Sequence, residues 1–154
     1  MSSLVGEYEC KLDSKSRFLL PSGLRKQLDP EAEERFMLNR GFEGCLVLYP
    51  MNEWEKLTEK LKQLNLFKAK NRMFFRQFQK GAQPLELDGS GRLLIPTKMK
   101  KQADIGKTIV LFAYADRIEV WAKEKYEKYM EETKDEFEQL AEEVMGQDNN
   151  ENEK

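Results

Sequence analysis

One five-residue pattern occurs twice in the sequence, an aspartate followed four positions later by an arginine: Asp13-Ser-Lys-Ser-Arg17 and Asp88-Gly-Ser-Gly-Arg92. A carboxylate at the head of such a segment can accept hydrogen bonds from the amides that follow and shape a turn. The arginine then stands beside the turn as a planar cation, suited to phosphate oxygens or to the edge of a guanine. The first copy adds Lys15 between Ser14 and Ser16, two hydroxyls able to donate to phosphate. Lys11 precedes it, and Arg25 and Lys26 follow. The second copy has small residues in its loop, then Arg92, Lys98, Lys100 and Lys101. The first loop is the expected stronger contact. The alternative for either copy alone is purely structural, with the arginine paired to its own aspartate.

Other chemistry is poorly served. The chain has no histidine, the commonest general acid–base and a frequent metal ligand. It has no nucleophile elbow, phosphate-binding glycine loop or dinucleotide fingerprint. Asp88-Gly89-Ser90-Gly91 is only faintly like a calcium loop, because further acidic ligands at alternating positions are missing. No catalytic residue, cofactor or metal is expected. Cys10 and Cys45 have no C-x-x-C spacing and are expected as reduced thiols.

The aspartate loops lie inside a longer duplication. Residues 12 to 28 align without a gap to residues 87 to 103 at an offset of 75, pairing Asp13 with Asp88, Arg17 with Arg92, Pro21 with Pro96 and Gln27 with Gln102. After a small change of offset, Phe36-Met37-Leu38 and Cys45 to Tyr49 correspond to Thr108-Ile109-Val110 and Arg117 to Trp121. Each copy reads as strand, loop, strand, short helix, strand, turn, strand, long helix. The first strands are Val5–Leu12 and Leu85–Leu87, and Pro21 and Pro96 end the second strands. Ser22 and Thr97 stand where a helix N-cap is expected. Asn39 to Gly44 and Tyr114-Ala115-Asp116 make the later turns.

These readings divide the chain into a first repeat (5–52), a helical connector (53–81) broken near Asn65, a second repeat (82–123), an amphipathic C-terminal helix (124–145) and a disordered acidic tail (146–154). Residues 124–154 carry 12 acidic and 4 basic residues, a net of −8, so the rest of a chain of net charge −2 carries +6. A basic body suits a phosphate backbone. Between Lys60 and Lys80 seven residues are basic and none acidic. That face is either a solvated surface over Phe67, Phe74 and Phe78, a phosphate-facing ridge, or a surface for the acidic helix of a neighbouring copy. The longest apolar run, residues 108–115, falls far short of the ~20 residues of a membrane span. Residues 1–13 carry no basic leader of a secretory signal, and a cytoplasmic location is expected.

At Leu12–Pro21, Leu87–Pro96, Asn39-Arg40-Gly41-Phe42-Glu43 and Tyr49-Pro50-Met51-Asn52-Glu53-Trp54-Glu55, the sequence resembles the MraZ family of bacterial regulators. The resemblance implies an α+β fold of two tandem swapped-hairpin, AbrB-like β-barrel repeats that form a pseudo-dimer, with long helices after each repeat. It implies ring-shaped homo-oligomers, commonly octamers, that bind double-stranded DNA at short direct repeats upstream of the family's own division and cell-wall operon, and hence association with the nucleoid. It places the DNA contacts on Arg17 and Arg92, with Lys15 beside the first, and gives Asp13 and Asp88 a loop-orienting role. Gly89 and Gly91 depart from the larger residues of the family pattern. The competing expectation is a non-catalytic oligomeric scaffold that meets a protein partner through Phe42, Tyr49 and the acidic C-terminal helix.

Overall fold

The computed structural model describes residues 3–152, with side chains as far as residue 146. Each copy supplies four strands: β1 (Leu4–Lys11), β2 (Arg17–Leu19), β3 (Arg35–Arg40) and β4 (Leu46–Pro50) from the first, and β5 (Gln83–Glu86), β6 (Arg92–Leu94), β7 (Thr108–Ala115) and β8 (Arg117–Ala122) from the second. Short helices α1 (Ser22–Arg25) and α4 (Thr97–Gln102) follow β2 and β6. Helices α2 (Met51–Leu61) and α3 (Ala69–Gln79) join the copies.

The copies do not fold side by side. Six strands form one antiparallel sheet in the order β1-β7-β8-β4-β3-β5, and β2 pairs with β6. Exchanging each strand for its counterpart in the other copy and reversing the order returns the same sheet. β1 lies along β7 from Leu4↔Ala115 to Lys11↔Thr108, as β5 lies along β3 from Arg35↔Glu86 to Leu38↔Gln83. The centre of the sheet is the β4–β8 seam, where Leu46 faces Val120 and Leu48 faces Ile118. The sequence makes this possible through alternation: β1 turns every second residue at least partly inward, whereas β4 is buried throughout and occupies the middle. One core serves both copies, with Phe18, Leu20, Leu24, Phe36 and Leu48 from the first packed with Leu93, Ile95, Met99, Leu111 and Ile118 from the second.

Several local expectations change. The helix caps are Pro21 and Pro96 (φ −56° and −59°), with Ser22 and Thr97 already inside the helices and making no capping bond. Proline's fixed φ holds the extended entry into each helix without a side-chain acceptor. Asn39 and Arg40 belong to β3, and the turn is Gly41 to Cys45, with Glu43 (φ 59°) and Gly44 (φ 87°) in the left-handed region. Buried Asn39 donates to the Phe78 carbonyl (2.7 Å) and Arg40 to that of Gln77 (2.6 Å), so this block anchors α3 to the sheet. Phe78 stacks on Trp54, but Phe67 precedes α3 and is 95% exposed, so the aromatic stripe covers the core only at its far end.

The C-terminal unit is separate. α5 (Lys123–Thr133) and α6 (Phe137–Asn152) are divided by a 3-10 turn at Lys134–Glu136, where one helix was expected. Helical backbone continues through Gly146 to Asn152, into the segment read from sequence as a disordered tail; residues 153–154 of that tail lie outside the described residues. Phe137, Leu140, Val144 and Met145 on α6 are exposed. Among the described residues no helix is long and apolar enough to cross a membrane.

Candidate nucleic-acid interface

The two aspartate loops fold in the same way. The Asp13 Oδ1 atom accepts from the amides of Lys15 and Arg17, each at 2.9 Å, and the Asp88 Oδ1 atom accepts from Ser90 and Arg92 at the same distance. A main-chain bridge closes each loop, from Asp13 N to Arg17 O (2.8 Å) and from Asp88 N to Arg92 O (3.0 Å). The fourth residue takes left-handed backbone in both: Ser16 at φ 64° and Gly91 at φ 78°. The amides of Arg17 and Arg92 are the main cause holding the Asp13 and Asp88 carboxyls below the usual carboxylate range, and they outweigh the opposing effect of partial burial. The aspartates therefore orient the loops, and they are ionised at neutral pH.

The arginines are not equivalent. Arg17 Nε donates to Asp13 Oδ2 at 2.9 Å, and its Nη1 lies 3.7 Å from Asp88 Oδ2. Both carboxylates turn onto one guanidinium. With Asp13 on Nε and Asp88 facing Nη1, the donors that Arg17 can offer to phosphate or guanine are its remaining Nη hydrogens. Arg92 has no ion pair among the described residues, because its own aspartate faces Arg17.

The β2–β6 ribbon brings the loops together. Arg17 lies opposite Leu94 and Arg92 opposite Leu19, on the outer face, while Phe18 and Leu93 face the core. Alternation leaves both leucines about half exposed between the two arginines. Ser14 and Lys15 are exposed at the first loop, as are Lys11 at the end of β1 and Lys26 just after α1; the three lysines have no ion pair among the described residues. Arg25 does not join this set as a free cation. Its guanidinium binds Glu34 Oε1 at 2.6 Å and lies against the second loop, where a Cβ on Gly91 would come within 2.9 Å of Nη1. The departure at Gly91 therefore has a local reason: positive φ, and a neighbouring arginine in the space a side chain would take.

Among the described residues no group of three or more His, Cys, Asp or Glu is placed to hold a metal ion. Cys10 is half-buried, and burial with the nearby Glu9 charge pushes its thiol up to about 11; Cys45 is buried with its Sγ donating to the Phe42 carbonyl (3.3 Å), and neither is in a disulfide. Tyr49, counted above as surface for a protein partner, is buried against Trp54 with the Arg117 guanidinium over its ring; Phe42 is 77% exposed.

The sequence matches the family described as "MraZ protein, putative antitoxin-like" twice, over residues 4–77 and 78–148. The chain belongs to the MraZ family. Among its relatives are proteins named "Transcriptional regulator MraZ" from Christiangramia forsetii, 47% identical over 96% of this chain and 96% of the relative, and from Flavobacterium psychrophilum, 46% identical over 95% and 94%. One from Clostridium tetani is 44% identical over 91% and 95%. These MraZ relatives are named as regulators and not as enzymes. The two matched segments are the two copies whose strands interleave, so the two MraZ repeats build one sheet and one core between them.

Proposed function

We propose that this protein is a DNA-binding transcriptional regulator that binds short direct repeats in double-stranded DNA upstream of its own division and cell-wall operon. In this reading it acts in the cytoplasm, on the nucleoid, as a ring-shaped homo-oligomer of eight copies. The observation that carries the DNA contact is the convergence of both loop aspartates on Arg17, which fixes a guanidinium beside exposed Ser14 and Lys15. The names of the relatives support the regulatory role. The self-complementary strand order is what two swapped-hairpin repeats closing into one AbrB-like barrel would give. Arg17, Lys15, Ser14, Ser16 and Arg92 make the DNA contacts, with Lys11 and Lys26 beside them; Arg25, neutralised by Glu34, supports the second loop. One such tip offers few contacts and binds weakly, and salt weakens it further. A ring repeats the tip at fixed spacing, so after the first contact the others are intramolecular, and tandem DNA repeats match a tandem protein array.

The test is binding of the protein to its own upstream duplex across a salt series, with Arg17→Ala beside wild type. We expect steep salt dependence, preference for the repeats, and a loss in the variant of about 1–3 kcal/mol per contact made. Wild-type binding that ignores salt, or an Arg17→Ala variant that binds as wild type does, would remove the loop from the role.

A second reading rests on a groove of about 580 Å³ beside Phe42, lined also by Phe74, Tyr114 and Arg117. An exposed aromatic at the lip of an apolar groove suits a protein partner and a scaffold role. Binding of that kind would be nearly indifferent to salt.

A further inference from the structure

We propose that Lys100, carried by the second repeat, completes the first repeat's loop as a phosphate-binding cation, so that the DNA-contacting tip is built from both copies. This rests on the DNA-binding reading above and adds to it a residue outside the Asp-x-x-x-Arg pattern.

The β2–β6 pairing sets each short helix beside the other copy's loop. The Ile95 amide donates to the Ser16 carbonyl (2.9 Å) just before α4, and the Leu20 amide donates to the Gly91 carbonyl (3.0 Å) just before α1. Equivalent cations on the two helices, Arg25 and Lys100, then reach equivalent loop positions across the copies. Arg25 lies against Gly91, and Lys100 Nζ donates to Ser16 Oγ at 3.0 Å.

The two crossings differ in charge. Arg25 is neutralised by Glu34, whereas Lys100 has no carboxylate partner among the described residues. An ammonium has three donors, and Ser16 takes one. The Ser16 oxygen, already accepting from Lys100, leaves its own proton to donate outward. A phosphate oxygen arriving beside exposed Lys15 would meet the Lys100 ammonium and the Ser16 hydroxyl together. Lys100 as a whole is only partly buried, and a lysine so placed packs its apolar stem while turning the charged head toward water.

The experiment measures the affinity of wild type, Lys100→Met, Lys100→Arg and Arg17→Ala for two duplexes across a salt series. One duplex spans the protein's own upstream region, and the other is unrelated and of equal length. Methionine keeps the apolar stem and removes the charge; Lys100→Gln serves if methionine lowers Tm. For Lys100→Met we expect both duplexes to weaken by a similar factor, about three- to tenfold at low salt. The slope of log K against log salt should fall by about one, as for a lost phosphate contact. Lys100→Arg should restore both. An unchanged slope and affinity in Lys100→Met, with binding lost in Arg17→Ala, would overturn the role of Lys100 and leave the DNA reading standing. No binding of either duplex by wild type at low salt would overturn both.

Discussion

At the scale of the residue, the aspartates decide the form of the site. Asp13 and Asp88 each accept two loop amides through one oxygen, and the second oxygen of each faces Arg17. The carboxyls therefore ionise more readily in the folded loop than in an unfolded chain, so the folded state binds fewer protons in the acid range. The sign follows: their stabilising effect is fully present above the ordinary carboxylate pKa near 4 and is lost as pH falls through the lowered folded values. We expect Tm to decline below about pH 4 partly on their account. A doubly substituted Asp13→Asn, Asp88→Asn protein should lose that part of the acid limb, and it should start from a lower Tm at pH 7. Thermal melts from pH 7 to pH 2 would show it; an acid limb of unchanged steepness would assign the decline to other carboxylates.

At the scale of the element, the β2–β6 ribbon is only three residues per strand, yet it holds both loops. Its stability comes from Phe18 and Leu93, which lie opposite each other and are 2% and 0% exposed. Phe18→Ala should cost about 3–5 kcal/mol, the range for a fully buried aromatic whose cavity cannot collapse. Denaturant unfolding would measure it, and a loss below about 1 kcal/mol would mean that the ribbon is held from elsewhere. Part of this element was legible in the sequence, because the repeat placed Arg17 and Arg92 at the start of equivalent strands, and Pro21 and Pro96 marked where each strand gives way to a helix. The offset of 75 also paired Arg25 with Lys100 and Ser16 with Gly91. It did not say that each cation crosses to the other copy's loop, because strand exchange is a long-range pairing that no local period encodes. Nor did it show that Arg25 is tied to Glu34, or that Tyr49 turns inward, since both depend on neighbours distant in the chain.

At the scale of the whole molecule, the interleaving makes the two repeats depend on each other. In the six-stranded sheet, and among the described residues, β1 pairs only with β7 and β5 only with β3, and the central seam joins one strand from each copy. A chain of residues 1–80 would leave β1 unpaired, expose one edge of β3 and of β4, and strip Phe18, Leu24 and Phe36 of the second-copy side chains around them. Burying so little apolar surface cannot offset the ordering of the chain. The symmetry of the strand order offers one escape, because β3 occupies in the first copy the place of β7 in the second. Two such half-chains could pair β1 of each with β3 of the other and rebuild the sheet as a true dimer. We therefore expect residues 1–80 to sediment as a dimer with β-structure, or to remain unfolded at concentrations too low for pairing. Sedimentation with circular dichroism distinguishes these from a folded monomer, which would mean that one repeat closes its own core and that the exchange is incidental to folding. A dimer would carry two copies of the Ser14-Lys15-Ser16 loop and two of Arg25 in place of Lys100, and so would place the same tip on a simpler scaffold.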